Sequence, residues 1–423
     1  MASVLSSVAG VGNYGSWLPH PGLASSPMKT ADANGHRITV AGGGIAALEA
    51  VLALRDLLGD VPLELIAPRT EVDYRPLSVL EPFALGEMPT LDLGRFAEQQ
   101  RASLRRDTLV GVEPDGHTLI TGKGERLDFE LLLVTVGAQA VEAIPGALTF
   151  RGIGDQRQLG LLVDEYARGD LTRLTFALPP AATWSMPVYD LALMMHTDLA
   201  ARDVGGVELA IATPEEHPLA IFGRRASDAV KELLGIAGIE LHTGVVAERV
   251  EPGGLITASG KIETDRVVAL PRLLGPRLHG LPSDQHGFIP TDRHGLVEGL
   301  GNVYAAGDAT TFPIKQGGLA TQQADAAAEA IAARLGADVD PQPFEPVLRG
   351  LLMTGQIARY LESTPGESVG KGAQVALWSP TSKVFGRYLL PYLGGADPAA
   401  GLVPGQDGAI EVEAEVEPAS SSR

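Results

Sequence analysis

The sequence predicts an α/β protein built from two layered units, each around a mostly parallel sheet. Three observations carry that prediction. The chain has 423 residues, more than the ~250–300 over which one hydrophobic core keeps growing. Short β-branched runs alternate with longer Ala- and Leu-rich segments from Arg37 to Leu335, the pattern of strands and helices layered around parallel sheets. A strand–turn–helix unit occurs twice, beginning at Arg37 and at Arg173.

Taken in order, Arg37–Ala41 reads as a strand and Ile45–Leu58 as a helix closed by Gly59. Leu63–Ala67, Leu131–Val136, Arg173–Leu178, Glu208–Ala212, Arg266–Leu270 and Val303–Ala306 read as further short buried strands. Val188–Ala201, Ala226–Ile236 and Leu319–Leu335 are the remaining helix candidates. Residues 1–35 are expected to form a disordered extension. They carry neither the basic stretch nor the apolar run of a secretory signal. Residues 401–423, where Glu411, Glu413, Glu415 and Glu417 alternate with small residues, are expected to be an acidic solvated tail.

Composition excludes several function classes. A net charge of −19 at pH 7 argues against nonspecific nucleic-acid binding and against strong electrostatic attachment to anionic lipid. There is no cysteine, which removes disulfides, thiolate nucleophiles, cysteine-bound zinc and iron–sulfur clusters. No window reaches the ~20 apolar residues of a membrane span. His279, His286 and His294 share no helix or strand face, so no metal site is expected. Glycine and proline number 51 and 30, well above the usual ~12% of a chain. That excess asks for many tight turns, or for backbone that approaches a ligand closely.

The first glycine turn is such a place. Gly42, Gly43 and Gly44 follow a strand and precede a helix, and Gly42, Gly44 and Ala47 fit G-x-G-x-x-A. The first glycine allows the turn, the second lets a pyrophosphate reach the backbone, and the small Ala47 lets helix and strand pack closely. The helix N-terminus at Ile45 and Ala46 then offers N–H groups and a positive dipole end. The acidic residue that should end the second strand and hold a ribose is missing. Ala67-Pro68-Arg69 stands there instead, and Arg69 is placed near a phosphate or the adenosine.

Two later segments point to a flavin. Thr135-Val136-Gly137-Ala138 ends a buried strand in a permissive turn. Val303-Tyr304-Ala305-Ala306-Gly307-Asp308 ends another at a carboxylate able to accept hydrogen bonds from a ribityl chain. Lys315 and the pair Gly317-Gly318 follow, and then an alanine-rich helix whose start at Leu319 would direct N–H groups to the N1 edge of the ring. On these motifs, in this order, the chain resembles the FAD-dependent flavoproteins of the pyridine nucleotide–disulfide oxidoreductase superfamily. The resemblance covers roughly His36 to Gly395. It implies two Rossmann-like dinucleotide-binding domains in three layers with a small C-terminal cap. Their expected extents are 36–150 with 284–342 for the FAD domain, 151–283 for the second domain and 343–400 for the cap. It implies non-covalent FAD lined by Gly42, Gly44, Ile45 and Ala46, with Leu109 at the adenine. Gly137 and Ala138 would flank the dinucleotide, Asp308 would hold the ribityl side, and Lys315, Gly318 and Leu319 would reach the ring.

The second unit has lost its glycine turn. Arg173–Leu178 leads into Pro179-Pro180-Ala181-Ala182-Thr183-Trp184-Ser185-Met186-Pro187. Proline removes N–H donors and tryptophan fills the space a pyrophosphate needs. A proline pair at this place is similar to sulfide:quinone oxidoreductases and flavocytochrome c sulfide dehydrogenases. Those enzymes work through cysteines, however, so the sulfide chemistry does not carry over. Trp184 and Pro187 are assigned to the substrate side. Glu215 and Glu216, after the unit's next strand, suit an adenine ribose, so NAD(P)H is weakened rather than excluded.

The reading is an FAD-dependent oxidoreductase. Two electrons pass from an unidentified donor through flavin N5 to an acceptor, for which a quinone is favoured. Lys315 and the helix start at Leu319 supply the positive electrostatics. The alternatives are an NAD(P)H dehydrogenase with an altered loop and a non-catalytic flavin-binding partner or sensor. Residues 377–393 mix aromatic, basic and leucine side chains. They suit peripheral membrane contact, or else packing over the flavin or a homodimer face. A cytoplasmic or membrane-peripheral location follows.

Overall fold

The computed structural model describes residues 37–363, apart from 87, 114, 116, 153 and 357, together with 371–373 and 382–393. The expected extension, the acidic tail and residues 377–381 of the C-terminal patch lie outside the described residues.

In chain order the elements that position the site are β1 (Ile38–Ala41), α1 (Ile45–Leu58), β2 (Leu63–Ala67), β3 (Ala102–Arg106) and β4 (Leu131–Val134). Next come β5 (Leu148–Thr149), β6 (Arg173–Ala177), α2 (Met186–Ala201), β7 (Glu208–Ala212), α3 (Arg224–Ile236), β8 (Glu240–His242) and β9 (Arg266–Ala269). The chain then returns with β10 (Val303–Ala305) and α4 (Gly317–Arg334), followed by β11 (Leu348–Leu352), β12 (Arg359–Ser363) and α5 (Leu389–Tyr392).

Two five-stranded parallel sheets share one plan. The first runs β10-β4-β1-β2-β3 and the second β5-β9-β6-β7-β8. In each, the strand that feeds the interdomain turn sits in the middle, flanked on one side by the next strands of its unit and on the other by a later arrival. Strands buried on both faces need no polar alternation, which is why they read as continuous apolar runs. All four residues of β1 are buried, and it pairs with β2 and β4 in register from Ile38 onward. Short antiparallel strands, Gln139–Val141 and Arg272–Leu274, pair alongside the two sheets.

Several boundaries differ from the sequence expectation, three of them with a clear cause. Leu148–Thr149 falls before the expected domain boundary at 150, yet it pairs with β9 and so belongs to the second sheet. Helix α2 begins at Met186 rather than Val188, because Pro187 lies in its first turn, where no N–H is required. Helix α4 begins at Gly317 rather than Leu319, because the Gln316 side chain accepts the Leu319 N–H at 2.9 Å and caps the helix two residues earlier.

Candidate functional site

The carboxyl ends of β1, β2, β4 and β10 open into one cavity of about 730 Å³, in the upper part of the ~300–1,000 Å³ range of small-molecule sites. Open parallel sheets bind ligands at such a crevice because the sequence neighbours of the central strand diverge there and leave the helix N-termini uncovered. Two helices aim their starts at it. The α1 start is approached through Gly42, Gly43 and Gly44, and the α4 start through Gln316 and Gly317.

The glycines in the first turn serve different ends. Gly42 has φ +140°, and a Cβ there would lie 2.3 Å from the Thr135 carbonyl oxygen, so the fold itself requires glycine. A Cβ on Gly43 would meet the Ala67 Cβ at 2.9 Å. A Cβ on Gly44 would meet nothing within 4 Å, so a side chain there would enter the cavity. Gly137, with φ +74°, is open in the same way. Backbone left bare toward an open space at a helix N-terminus fits an extended diphosphate ligand, and a dinucleotide such as FAD is compatible with the residues present.

Gly42, Gly43, Gly44, Ile45, Ala46, Arg69, Leu109, Gly137, Ala138, Asp308, Lys315, Trp184 and Pro187 all line this cavity. Ala47, Gly307, Gly318 and Leu319 are not among its lining residues. Ala47 is fully buried in the core between α1 and the sheet. Gly307 donates its N–H to Gln323 Oε1 at 2.7 Å and has φ +76°. Leu319 is buried in the core and its N–H is taken by Gln316. The N–H groups that the first turn of α4 leaves without an intrahelical partner therefore include those of Gly317 and Gly318, and the Leu319 N–H is not available to a ligand.

Lys315 is buried. Its ammonium donates to the Thr310 carbonyl and lies 4.0 Å above the Phe288 ring. Burial pushes it down to about 8, against the pull of Asp308 and Asp284. Burial pushes the Asp308 carboxyl up, and Lys315 and Arg75 pull it back.

Several site residues had no clear sequence signal. Arg75 lines the cavity from a short turn, Arg75–Leu77, and donates to the Arg151 carbonyl at 2.9 Å. Asp190 and Lys383 form a buried ion pair in the cavity wall at 2.6 Å. Asp190 also accepts the Met353 N–H at 2.7 Å, and Lys383 donates to the Leu351 carbonyl at 3.2 Å. Burial pushes the Asp190 carboxyl up, and the Lys383 ammonium pulls it down. One acid in an otherwise apolar helical run, Val188-Tyr189-Asp190-Leu191, is a usable hint, because a buried charge needs a partner. Val384 lines the cavity beside Lys383, and Leu389 and Leu390 are buried. The described part of the C-terminal patch therefore packs inward.

In the second unit the loop at Ala182–Pro187 faces the same cavity, and the Trp184 ring meets the Phe222 ring edge-on with centroids 5.9 Å apart. Glu215 is already engaged. It accepts from the Ser185 hydroxyl at 2.9 Å, the Tyr189 phenol at 2.6 Å and the Thr213 hydroxyl at 3.1 Å. Burial and the Glu215 carboxylate together hold the Tyr189 phenol well above its ordinary value.

No family model matches the chain. It is 22% identical over 272 residues to a sulfide-quinone reductase of Aquifex aeolicus, a match covering 59% of this chain and 61% of that protein's length. It is 26% identical over 287 residues to a nitric oxide reductase FlRd-NAD(+) reductase of Aeromonas salmonicida, covering 64% and 70%. The solved sulfide:quinone oxidoreductase of Aquifex aeolicus superposes with a TM-score of 0.74 at 17% identity, over 80% of this chain and 87% of that one. A ferredoxin reductase of Rhodopseudomonas palustris gives 0.60 at 18% identity, over 79% and 90%. The sheets, the glycine turn and these relatives agree on the fold: the chain is similar to FAD-dependent pyridine nucleotide–disulfide oxidoreductases, among them a sulfide-quinone reductase.

Proposed function

We propose that the protein is an FAD-dependent oxidoreductase that moves two electrons from a small-molecule donor to a quinone without redox cysteines. The observation that carries the reading is a shared cavity, in which two helix N-termini, Asp308 and Lys315 meet the loop Ala182–Pro187 of the second unit. Bound FAD supplies an isoalloxazine ring that accepts and returns electron pairs.

The chain's own residues divide the remaining work. Gly42, Gly44 and the α1 start hold the diphosphate, Leu109 meets the adenine end, and Arg69 lies toward the adenosine. Gly137 and Ala138 flank the dinucleotide. Asp308 accepts hydrogen bonds from the ribityl hydroxyls. The Lys315 ammonium and the Gly317 end of α4 put positive charge where the ring gains negative charge on reduction. Trp184, Pro187 and Val384 exclude water on the second-unit side. There Lys383 Nζ, paired with Asp190 in the cavity wall, would serve as the proton donor to an acceptor reduced in the cavity.

The engagement of Glu215 disfavours a pyridine nucleotide as donor. The acid that a second adenine ribose would use is tied to Ser185, Tyr189 and Thr213. Among the described residues no helix is long and apolar enough to cross a membrane. A quinone acceptor is therefore met by peripheral contact.

Anaerobic mixing of the purified, FAD-loaded protein with NADH, NADPH, sulfide and organic donors tests the reading. Bleaching of the flavin band by an organic donor or sulfide, with none by NADH or NADPH, is expected. Rapid bleaching by either nucleotide would make the protein an NAD(P)H dehydrogenase. A loaded protein that no donor reduces and no quinone reoxidises would be a flavin-binding partner or sensor.

A further inference from the structure

Two carboxyl groups meet where α1 packs on α4, each further along a helix whose N-terminus lines the cavity. Glu49 on α1 is fully buried, and Asp325 on α4 has an Oδ1 buried with no hydrogen-bond partner. The two carboxyl groups face each other closely enough for one, when protonated, to donate to the other. Two ionised carboxylates in such contact repel strongly, so one proton between them is the favoured state.

Glu49 also reaches the far end of the chain. Its Oε1 accepts the Tyr388 N–H at 2.8 Å, and its Oε2 accepts the Leu389 N–H at 2.7 Å, at the start of α5. The contact is close: a Cβ on Gly386 would lie 2.6 Å from Glu49 Oε2. The Thr321 hydroxyl of α4 holds the Phe385 carbonyl at 2.8 Å. Three residues upstream of Gly386, Lys383 enters the cavity wall to pair with Asp190, and Val384 lines the cavity. The segment 382–393 is thus a strap pinned over α1 and α4 at one end and lining the cavity at the other.

We propose that Glu49 and Asp325 share one proton and together latch this strap, so that Glu49 is a positioning residue for Lys383 and Val384. The inference does not depend on which ligand fills the cavity. With Asp325 protonated, its O–H donates to Glu49, and the single negative charge on Glu49 is spread over two backbone N–H groups, a stable arrangement for a buried carboxylate. If Asp325 loses its proton, two charges face each other in the same site and the carboxylate that holds the strap is repelled.

The neighbouring charges do not remove this coupling. Burial and the Glu49 charge push Asp325 up to about 9, and Glu329 adds to the push while Arg387 opposes it. Arg387 is itself paired with Glu329 at 3.0 Å and is exposed. Burial, against the pull of Arg387 and with smaller pushes from Asp56, Asp325 and Glu329, holds Tyr388 up to about 12, so it stays neutral throughout. Opening the strap hydrates the pair and returns Asp325 to its ordinary range, so opening releases a proton. The opening constant therefore rises with pH, by up to about tenfold per unit, and levels off above about 9, where the closed form is ionised as well.

Hydrogen exchange on the full chain, expressed as protection factors for the Tyr388 and Leu389 amides, tests the latch between pH 6 and 10. In the wild type, protection should fall as pH rises. In Asp325→Asn the amide still donates to Glu49 but has no proton to lose, so protection should stay high and flat. Glu49→Ala should lower it at least tenfold at pH 7. An Asp325→Asn protein that follows the wild-type pH dependence would overturn the proposal, and so would a folded Glu49→Ala protein with unchanged protection. Exchange requires neither bound flavin nor turnover, so its outcome is separate from the fate of the oxidoreductase reading.

Discussion

Lys383 Nζ lies 2.6 Å from Asp190 Oδ2, joining residues 193 positions apart inside the cavity wall. The carboxylate side chain is fully buried and the ammonium side chain is 9% exposed, so neither charge can turn to bulk water. Breaking such a pair from one side costs about 3–5 kcal/mol, whereas removing both charges costs much less. Lys383→Met should therefore lower the unfolding free energy by about that amount, and the Asp190→Asn, Lys383→Met double variant should recover most of it. Thermal or denaturant unfolding of the wild type, the two single variants Asp190→Asn and Lys383→Met, and the double variant measures the coupling. Both variants should still bind FAD, since the diphosphate is held elsewhere, but should lose quinone turnover.

Gly42 and Gly44 separate folding from ligand binding. Gly42→Ala forces a Cβ against the Thr135 carbonyl at a positive φ, so soluble yield and unfolding temperature should both fall. Gly44→Val puts a Cβ where it would meet no protein atom within 4 Å. Its stability should stay within about 1 kcal/mol of wild type, while FAD affinity should fall at least a hundredfold by fluorescence titration. Equal destabilisation by the two substitutions would show that Gly44 faces protein rather than a ligand.

Lys315 gives a pH dependence whose sign is fixed by burial. Its ammonium is pushed down to about 8, so its positive charge fades through the range pH 7–9. FAD affinity should weaken above pH 8 by up to about tenfold per unit, and Lys315→Met should be weaker and flat over the same range. Stability changes in the opposite sense. Between about 8 and the ordinary lysine value the unfolded chain binds the extra proton, so this residue's contribution to folding rises with pH. Titrations at fixed ionic strength separate the two effects.

Glu215 holds three hydroxyl donors in the second unit. Glu215→Ala leaves them without their acceptor and should cost about 1–3 kcal/mol. It should not alter the response to NADH, because the loop lacks the glycine turn that would cradle a second diphosphate. A variant that gains or loses NADH reduction would mean that a nucleotide uses this carboxylate.

The sheets were legible because buried parallel strands announce themselves as unbroken apolar runs; Ile38–Ala41 and Leu131–Val134 are two such runs. The first glycine turn was legible because a motif of local backbone needs only neighbouring residues. Helix starts were less so. The sequence pattern places the start of α4 at Leu319, but the Gln316 side chain caps that helix two residues earlier, and glutamine is not among the usual capping residues. Asp190 alone carries a hint, but the pairs of Asp190 with Lys383 and of Glu49 with Tyr388 and Leu389 are not legible, because nothing periodic in a sequence links groups that only the packing of distant segments brings together. The missing glycines of the second unit signalled a lost phosphate cradle, while the use now made of Glu215 depends on the three-dimensional approach of Ser185 and Tyr189.

The central claim is that electrons leave the FAD-loaded protein for a quinone with no thiol relay. The most direct test is stopped-flow mixing, under argon, of the photochemically reduced holoprotein with a short-chain quinone. Full return of the oxidised flavin spectrum, with a rate that saturates in quinone and collapses in Lys383→Met, is expected. A purified protein that carries no flavin and takes up none, or a reduced holoprotein that quinone does not reoxidise, would contradict it.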